Sequence, residues 1–319
     1  MPTASRKIHI AFGVNEKYFY PMGVTITSIV ENNRDEEFVF HIFSTELPPD
    51  QINKLEKLKK TYDFDYKTYK VDDGYLNKFK NLDCVGHLNA ACFIRLLAPE
   101  AIALEHGRLL YLDSDIICDG NISELFDADL SGKPVGAIRD NALTDKVQSA
   151  KLGLPEGSYF NSGVLLIDTG KWKDLAITEA TIAYVDKNPQ LDFADQDALN
   201  AILIDQVMYL DSKWNYQINS KDIIRNNQVD IEIPRQAILI HFVSSIKPWH
   251  NIALPAAQRK FVHYKKSSPW RDIPQTTPNL PKVIRRACSN NLRSGKYIEA
   301  IRLYFLYLKS CLETGRAIK

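Results

Sequence analysis

Short apolar runs alternate with stretches of helical period along most of this chain, and that alternation is the tightest constraint on its fold. KIHIAFG, residues 7–13, alternates in hydropathy and stops at glycine, as a strand does. Residues 20–30 carry a helical period. A strand is predicted over 38–43 (FVFHIF), an amphipathic helix over 48–60 and a short strand over 65–69. A helix is predicted over 90–97 and a strand over Arg108–Leu112. Further strands are predicted over 135–138, 163–167 and 238–242, with helices over 176–186 and 196–204. Such an order predicts an α/β fold with a mixed, mainly parallel, doubly wound sheet and flanking helices.

The proline-rich stretch PWRDIPQTTPNLP places four prolines in thirteen residues. Proline fixes φ and lacks an amide donor, so 269–281 reads as a connector. The chain then divides into an α/β unit over 1–268, that connector, and a basic helical segment over 282–319. Net charge over the 319 residues is only +1, which excludes a global pull toward nucleic acid. The last segment, however, holds nine Lys/Arg against two Glu. Within it Tyr297, Ala300, Ile301, Tyr304, Phe305, Leu308, Cys311 and Leu312 recur at helical spacing. A basic helix with an aromatic face fits an anionic membrane surface. It equally fits a helix docked on the body with its lysines and arginines in water.

The five cysteines, Cys84, Cys92, Cys118, Cys288 and Cys311, form no disulfide framework and no C-x-x-C knuckle. The opening MPTASRKIHIAFGV has no apolar stretch of signal-peptide length. No run approaches the roughly 18 apolar residues of a membrane span. The expected setting is cytoplasmic, with any membrane contact peripheral.

The stretch RLLYLDSDIIC ends an apolar strand in Asp113-Ser114-Asp115. The D-x-D triplet alone is weak, because it recurs at Asp63/Asp65, Asp127/Asp129 and Asp195/Asp197. Its position is what counts. Open α/β sheets bind ligands outside the carboxyl ends of their strands. Only the Asp113/Asp115 pair directly follows a predicted strand. Two close carboxylates repel unless a cation lies between them, and a divalent cation bridging to a diphosphate explains the pair. His241 ends a second apolar strand, and Lys247 follows six residues later. Asp, Asp and His ligation suits Mn2+, with Mg2+ possible. Taken singly, these and the neighbouring polar residues have plainer readings. His241 is then a hydrogen-bonded strand-end residue, Arg95 a helix-surface arginine and Asp140 a loop carboxylate. Asn161-Ser162-Gly163 is then a turn into a strand, and Asp195 a helix cap.

Four segments together, YLDSDIIC, YFNSGVLLID, FADQDALN and IHFVSSIKPWH, resemble the signature blocks of glycosyltransferase family 8, in that family's order. The resemblance runs from about residue 7 to 269. It is strongest to the bacterial lipopolysaccharide outer-core hexosyltransferases, and it implies a GT-A-type Rossmann-like fold, a UDP-sugar donor, Mn2+ and retention of anomeric configuration. It implies Asp113, Asp115 and His241 as metal ligands. Ala11, Asn15, Arg95, Asp113, Ser114, Asn161 and Lys247 would contact the donor. Asp140, Asp195 and Gln196 would surround the reacting sugar. Where some relatives carry an acidic pair after the first strand, this chain has Gly13-Val14. The implied reaction moves glucose or galactose from UDP-glucose or UDP-galactose to a lipopolysaccharide core acceptor at the cytoplasmic face of the inner membrane. Alternatives are a glycogenin-like or polysaccharide-building member of the family, or a non-catalytic nucleotide-sugar binding module.

Overall fold

The computed structural model of the chain describes residues 6–72, 74, 93–102 and 107–313. Cys84, Cys92, the first three residues of the helix predicted over 90–97 and residues 314–319 lie outside the described residues.

The strands are β1 (Lys7–Val14), β2 (Glu37–Ser44), β3 (Asp65–Lys70), β4 (Arg108–Leu112), β5 (Ile116–Cys118), β6 (Val135–Arg139), β7 (Phe160–Asp168), β8 (Val207–Tyr209), β9 (Tyr216–Gln217) and β10 (Leu239–His241). Helices used below are α1 (Phe19–Asn32), α2 (Pro49–Thr61), α3 (Ile94–Ala101), α4 (Ala142–Leu152), α5 (Ile177–Lys187), α6 (Ala194–Ile202), α7 (Pro255–Ser267), α8 (Pro281–Arg293) and α9 (Tyr297–Glu313). Seven strands form one sheet in the order β3-β2-β1-β4-β7-β6-β8, and β5-β10-β9 form a second. In the large sheet β1 runs parallel to β2 and β4, β2 to β3, and β6 to β8. Only β7 is antiparallel to its neighbours, β4 and β6.

The period of two in each strand sorts its side chains between two layers. Ile8, Ile10, Phe12, Leu110, Leu112, Val164 and Leu166 join one apolar cluster with Phe19, Met22 and Ile26 of α1 and Leu55 of α2. Ala11, Leu109, Tyr111, Leu165 and Ile167 face the other way, against Leu96 of α3, Val185 of α5 and Leu199 of α6. A sheet covered on both faces needs near-continuous apolar strands, and that is why RLLYL and GVLLI are legible as strands.

Among the described residues helix α3 runs from Ile94, past Pro99, to Ala101. The proline removes one hydrogen bond, but Leu96, Ala98 and Ile102 are buried around it, and their packing carries the last turn.

A third cluster joins Ile117 and Ile240 of the small sheet, and Phe242 just after it, to Phe261 of α7, Ile284 of α8, and Leu303, Tyr307 and Cys311 of α9. Trp270, in the proline-rich stretch, is fully buried and donates from Nε1 to Gln51 Oε1 at 2.7 Å. Any side chain at Gly23 of α1 would overlap its ring. The apolar set expected on one face of the last helix divides in the structure. Ala300 and Cys311 are buried with Leu303 and Tyr307, whereas Tyr297, Ile301, Tyr304, Phe305 and Leu312 are exposed. No helix among the described residues is long and apolar enough to cross a membrane.

Candidate active site

The antiparallel course of β7 brings its amino end beside the carboxyl ends of β4 and β6. Residues from all three strands therefore meet at one sheet edge. Asn161-Ser162-Gly163 are not the turn that they resemble in isolation; they lie inside β7. The pairing of β6 with β7 is irregular between Ala137 and Ile138, opposite this stretch. Such irregularities re-aim side chains near sites.

Asp113 leaves β4 with its N–H donating to Gly163 O at 2.8 Å. Asp115 is held by the residue that follows β10, where Phe242 N donates to Asp115 O at 3.1 Å. Between them Ser114 is buried, and its carbonyl accepts from Thr25 Oγ1 at 3.1 Å. His241 ends β10, pairing with Ile116. Its Nε2 lies 3.3 Å from Asp115 Oδ1 and 3.8 Å from Asp113 Oδ2. One ligand atom from each of Asp113, Asp115 and His241 falls within 4.8 Å of the others. Two carboxylates and one imidazole, converging without a side chain from Gly163, fit a hard divalent cation. A methyl group at Gly163 would overlap His241 Cε1 and stand 2.7 Å from Asp113 Oδ2.

Cations surround the carboxylates. Lys247 Nζ is paired with Asp115 and also donates to Phe242 O at 2.7 Å. Burial alone would raise the Asp115 carboxyl, but Lys247 and His241 outweigh it and hold it well below the usual carboxylate range. Arg95 is not a surface arginine; it is 7% exposed. Its Nη1 donates to both Ser162 O and Ser162 Oγ at 2.6 Å, and its Nη2 to Asp113 Oδ1 at 3.2 Å. Its Nε stands 2.8 Å from Asp195 Oδ2, a charge contact without the alignment of a hydrogen bond. Asp195 is not the α6 cap, because Phe193 occupies that position and Asp195 lies in the first turn. Burial pushes its carboxyl up to about 6, against the pull of Arg95.

A polar net adjoins these groups. Asp140 Oδ2 accepts from Asn161 Nδ2 at 3.2 Å and from Gln196 Nε2 at 3.0 Å. Gln196 Oε1 in turn accepts from Ser162 N at 2.9 Å. Burial raises the Asp140 carboxyl, opposed by its donors Asn161, Asn141 and Gln196.

The structure thus brings Arg95, Asp113, Ser114, Asp115, Asp140, Asn161, Asp195, Gln196, His241 and Lys247 to one region. Asn15 caps a short 3-10 turn after β1, accepting from Tyr18 N at 3.2 Å. Ala11 lies within β1, fully buried in the apolar layer, with His41 and Tyr111 as strand partners. Three participants escape the reading of spacing. Ser162 bonds both Arg95 and Gln196. Tyr111 OH donates to Asp113 Oδ1 at 3.1 Å. Asn215 touches His241 and Asn161. Gly163 had a signal, since glycine inside an apolar strand often marks a close approach. Asn215 had none, lying in a short segment without hydropathic period.

The profile of Glycosyl transferase family 8 matches residues 9–253, and that of the family's C-terminal region matches residues 248–310. A lipopolysaccharide 1,2-glucosyltransferase of Escherichia coli K12 is 32% identical over 275 residues, covering 84% of this chain and 80% of the relative. A lipopolysaccharide 1,3-galactosyltransferase of Salmonella typhimurium is 26% identical over 312 residues, covering 95% and 91% respectively. Among solved structures, the galactosyltransferase LgtC in complex with donor and acceptor sugar analogs superposes with a TM-score of 0.71 at 23% identity, over 82% of this chain and 96% of that one.

Proposed function

Because this chain belongs to glycosyltransferase family 8, we propose that it transfers glucose or galactose from a UDP-sugar to the core oligosaccharide of lipopolysaccharide, with retention of configuration. The observation that carries the reading is the convergence of Asp113, Asp115 and His241 beside Lys247, Arg95 and a hydrogen-bonded net of polar side chains. The lipopolysaccharide glucosyl- and galactosyltransferases it is similar to supply the substrate class.

Asp113, Asp115 and His241 would hold a divalent cation, Mn2+ or Mg2+, which when bound supplies Lewis-acid charge for a departing diphosphate. Lys247 would neutralise a second phosphate oxygen. Asn15 follows the first strand at the same edge and would take part in holding the nucleoside, with Ala11 contributing through its strand. Asp140, Asn161 and Gln196 offer acceptors and donors for sugar hydroxyls. Asp195 Oδ2 is buried and, among the described residues, meets Arg95 Nε without an aligned hydrogen bond, the state a sugar hydroxyl would relieve.

In the reaction the anomeric C–O bond to the diphosphate breaks and the acceptor hydroxyl oxygen forms the new bond. The hydroxyl proton passes to the leaving phosphate oxygen. Positive charge at the anomeric carbon is tolerated by Asp140 and Asp195. We favour same-face attack, because Gln196 is a poor nucleophile and Arg95 engages Asp195. UDP release, compared between UDP-glucose and UDP-galactose with and without truncated lipopolysaccharide acceptors, tests this. Acceptor-stimulated release from one donor, abolished by chelation, is expected. Release from neither donor with any core acceptor would overturn the assignment.

The chain would act at the cytoplasmic face of an anionic membrane. The exposed side of α9 supports this, with Ile298 88% and Phe305 65% exposed beside a basic α8. Replacing Ile298 and Phe305 by Ser should weaken binding to anionic vesicles by at least about tenfold without unfolding the chain, since full burial of each side chain is worth roughly 1.5–3 kcal/mol. Cosedimentation reads this directly, and unchanged binding would remove α9 from the membrane contact.

A further inference from the structure

We propose that Asn215 is a positioning residue that fixes the tautomer of His241 and the orientation of Asn161 together, and so couples the metal ligands to the sugar-binding net. The inference rests on the functional reading above and adds a residue to it. Asn215 is 2% exposed and carries no charge. It follows the 3-10 turn Ser212–Trp214 and precedes β9. Its backbone is clamped on both sides: Ile238 N donates to Lys213 O at 2.8 Å, and Ile218 N donates to His241 O at 2.7 Å.

Among the described residues the side chain makes two hydrogen-bonding contacts. Oδ1 lies 3.0 Å from His241 Nδ1, and Nδ2 donates to Asn161 Oδ1 at 2.9 Å. Amide orientation and ring tautomer are set by the network around them. Here the network has a fixed end. Gly163 N–H, which can only donate, reaches Asn161 Oδ1 at 3.1 Å. On its other side Asn161 Nδ2 faces two acceptors, Asp140 Oδ2 and Gln196 Oε1, each at 3.2 Å. Asn161 Oδ1 is therefore the acceptor toward Asn215, and Asn215 must present Nδ2 to it. Asn215 Oδ1 is left facing His241. An amide oxygen accepts only, so Nδ1 carries a ring proton, and whenever the ring is neutral, as a metal ligand must be, the lone pair is on Nε2. Nε2 is the nitrogen that points at Asp113 and Asp115. Turning the Asn215 amide over would press two oxygens together at Asn161 and put an N–H against His241. Polarity thus passes from one backbone N–H through two carboxamides to an imidazole. Partners of this kind behind metal-binding histidines typically change metal affinity by about 10–100-fold when lost.

The test is the ring tautomer itself. Full-length protein labelled with 15N-histidine is compared, metal-free and in mildly alkaline buffer, as wild type, Asn215→Leu and Asn215→Asp, with His241→Gln to assign the signal. Once the ring is neutral the wild type should show the Nδ1–H form. The Leu variant should shift toward Nε2–H and, with UDP present, bind Mn2+ about 10–100-fold more weakly. The Asp variant still accepts from Nδ1–H but cannot donate to Asn161. It should keep the tautomer and the Mn2+ affinity while the KM for the UDP-sugar rises, a split that a merely structural role would not produce. Wild-type His241 in the Nε2–H form, or a Leu variant with unchanged tautomer and Mn2+ affinity, would overturn the proposal. Wild-type protein that binds no Mn2+ would overturn the metal reading itself, a different failure from an unmoved tautomer.

Discussion

Replacing Asp115 by asparagine is expected to lower turnover of the UDP-sugar by about 10^3-fold, the scale set by losing one preorganised group that stabilises transition-state charge. Asparagine keeps the shape and one acceptor oxygen. It removes the negative charge that answers Lys247 and that would complete the ligand set with Asp113 and His241. The fold should survive, because the backbone at this point is held independently: Phe242 N bonds Asp115 O, and Thr25 bonds the carbonyls of Ser114 and Ile116. The measurement is kcat/KM against added Mn2+, with thermal unfolding in parallel. Chelation should reduce the wild type to the level of the variant and change the variant little. Turnover within about threefold of wild type at saturating Mn2+ would remove Asp115 from the ligands, since such a loss is under 1 kcal/mol.

The sequence makes the elements of this site legible where strand period and strand ends locate them. Arg108–Leu112 is apolar on both faces because α1 and α3 cover both, and a carboxylate pair at its end could only lie at the binding edge. His241 is located by the same rule. Other parts depend on contacts that no local pattern encodes. The direction of β7 is one: GVLLI reads the same whichever way it runs, and only the antiparallel course delivers Asn161 to Asp140. The burial of Arg95 is another, since FIRLLAP shows a helical face but not the two carboxylates that meet the guanidinium from β4 and α6. The last helix is a third. Its apolar residues occupy more arc than one docking surface takes up, so Leu303 and Tyr307 enter the third cluster while Phe305 faces out. Periodicity finds an amphipathic helix, but how its apolar arc divides between buried and exposed positions is fixed by the packing.

Arg95 therefore carries the second large expectation. Substitution by methionine, close in length and apolar, should destabilise the protein by about 3–5 kcal/mol, the usual cost of removing one member of a buried ion pair. The guanidinium answers two carboxylates, Asp113 and Asp195, and supplies donors to the carbonyl and hydroxyl of Ser162. It also stacks over Tyr111 at 5.0 Å, so part of the loss is packing. Without it Asp195, already raised to about 6 chiefly by burial, would rise further and take up a proton near neutral pH. That uptake limits the penalty, and it gives the prediction a pH sign. With its folded-state value above the unfolded one, Asp195 binds protons more readily when folded. The variant should therefore recover stability as pH falls from 8 toward 6 relative to the wild type. Urea unfolding at several pH values measures this. The double variant Arg95→Met with Asp195→Asn removes the stranded charge along with its partner. It should regain roughly half of the lost stability, because pairs in direct contact are not additive, while remaining inactive. Equal stability of the single and double variants at pH 8 would mean that Arg95 acts through Ser162 and Asp113 and not through Asp195.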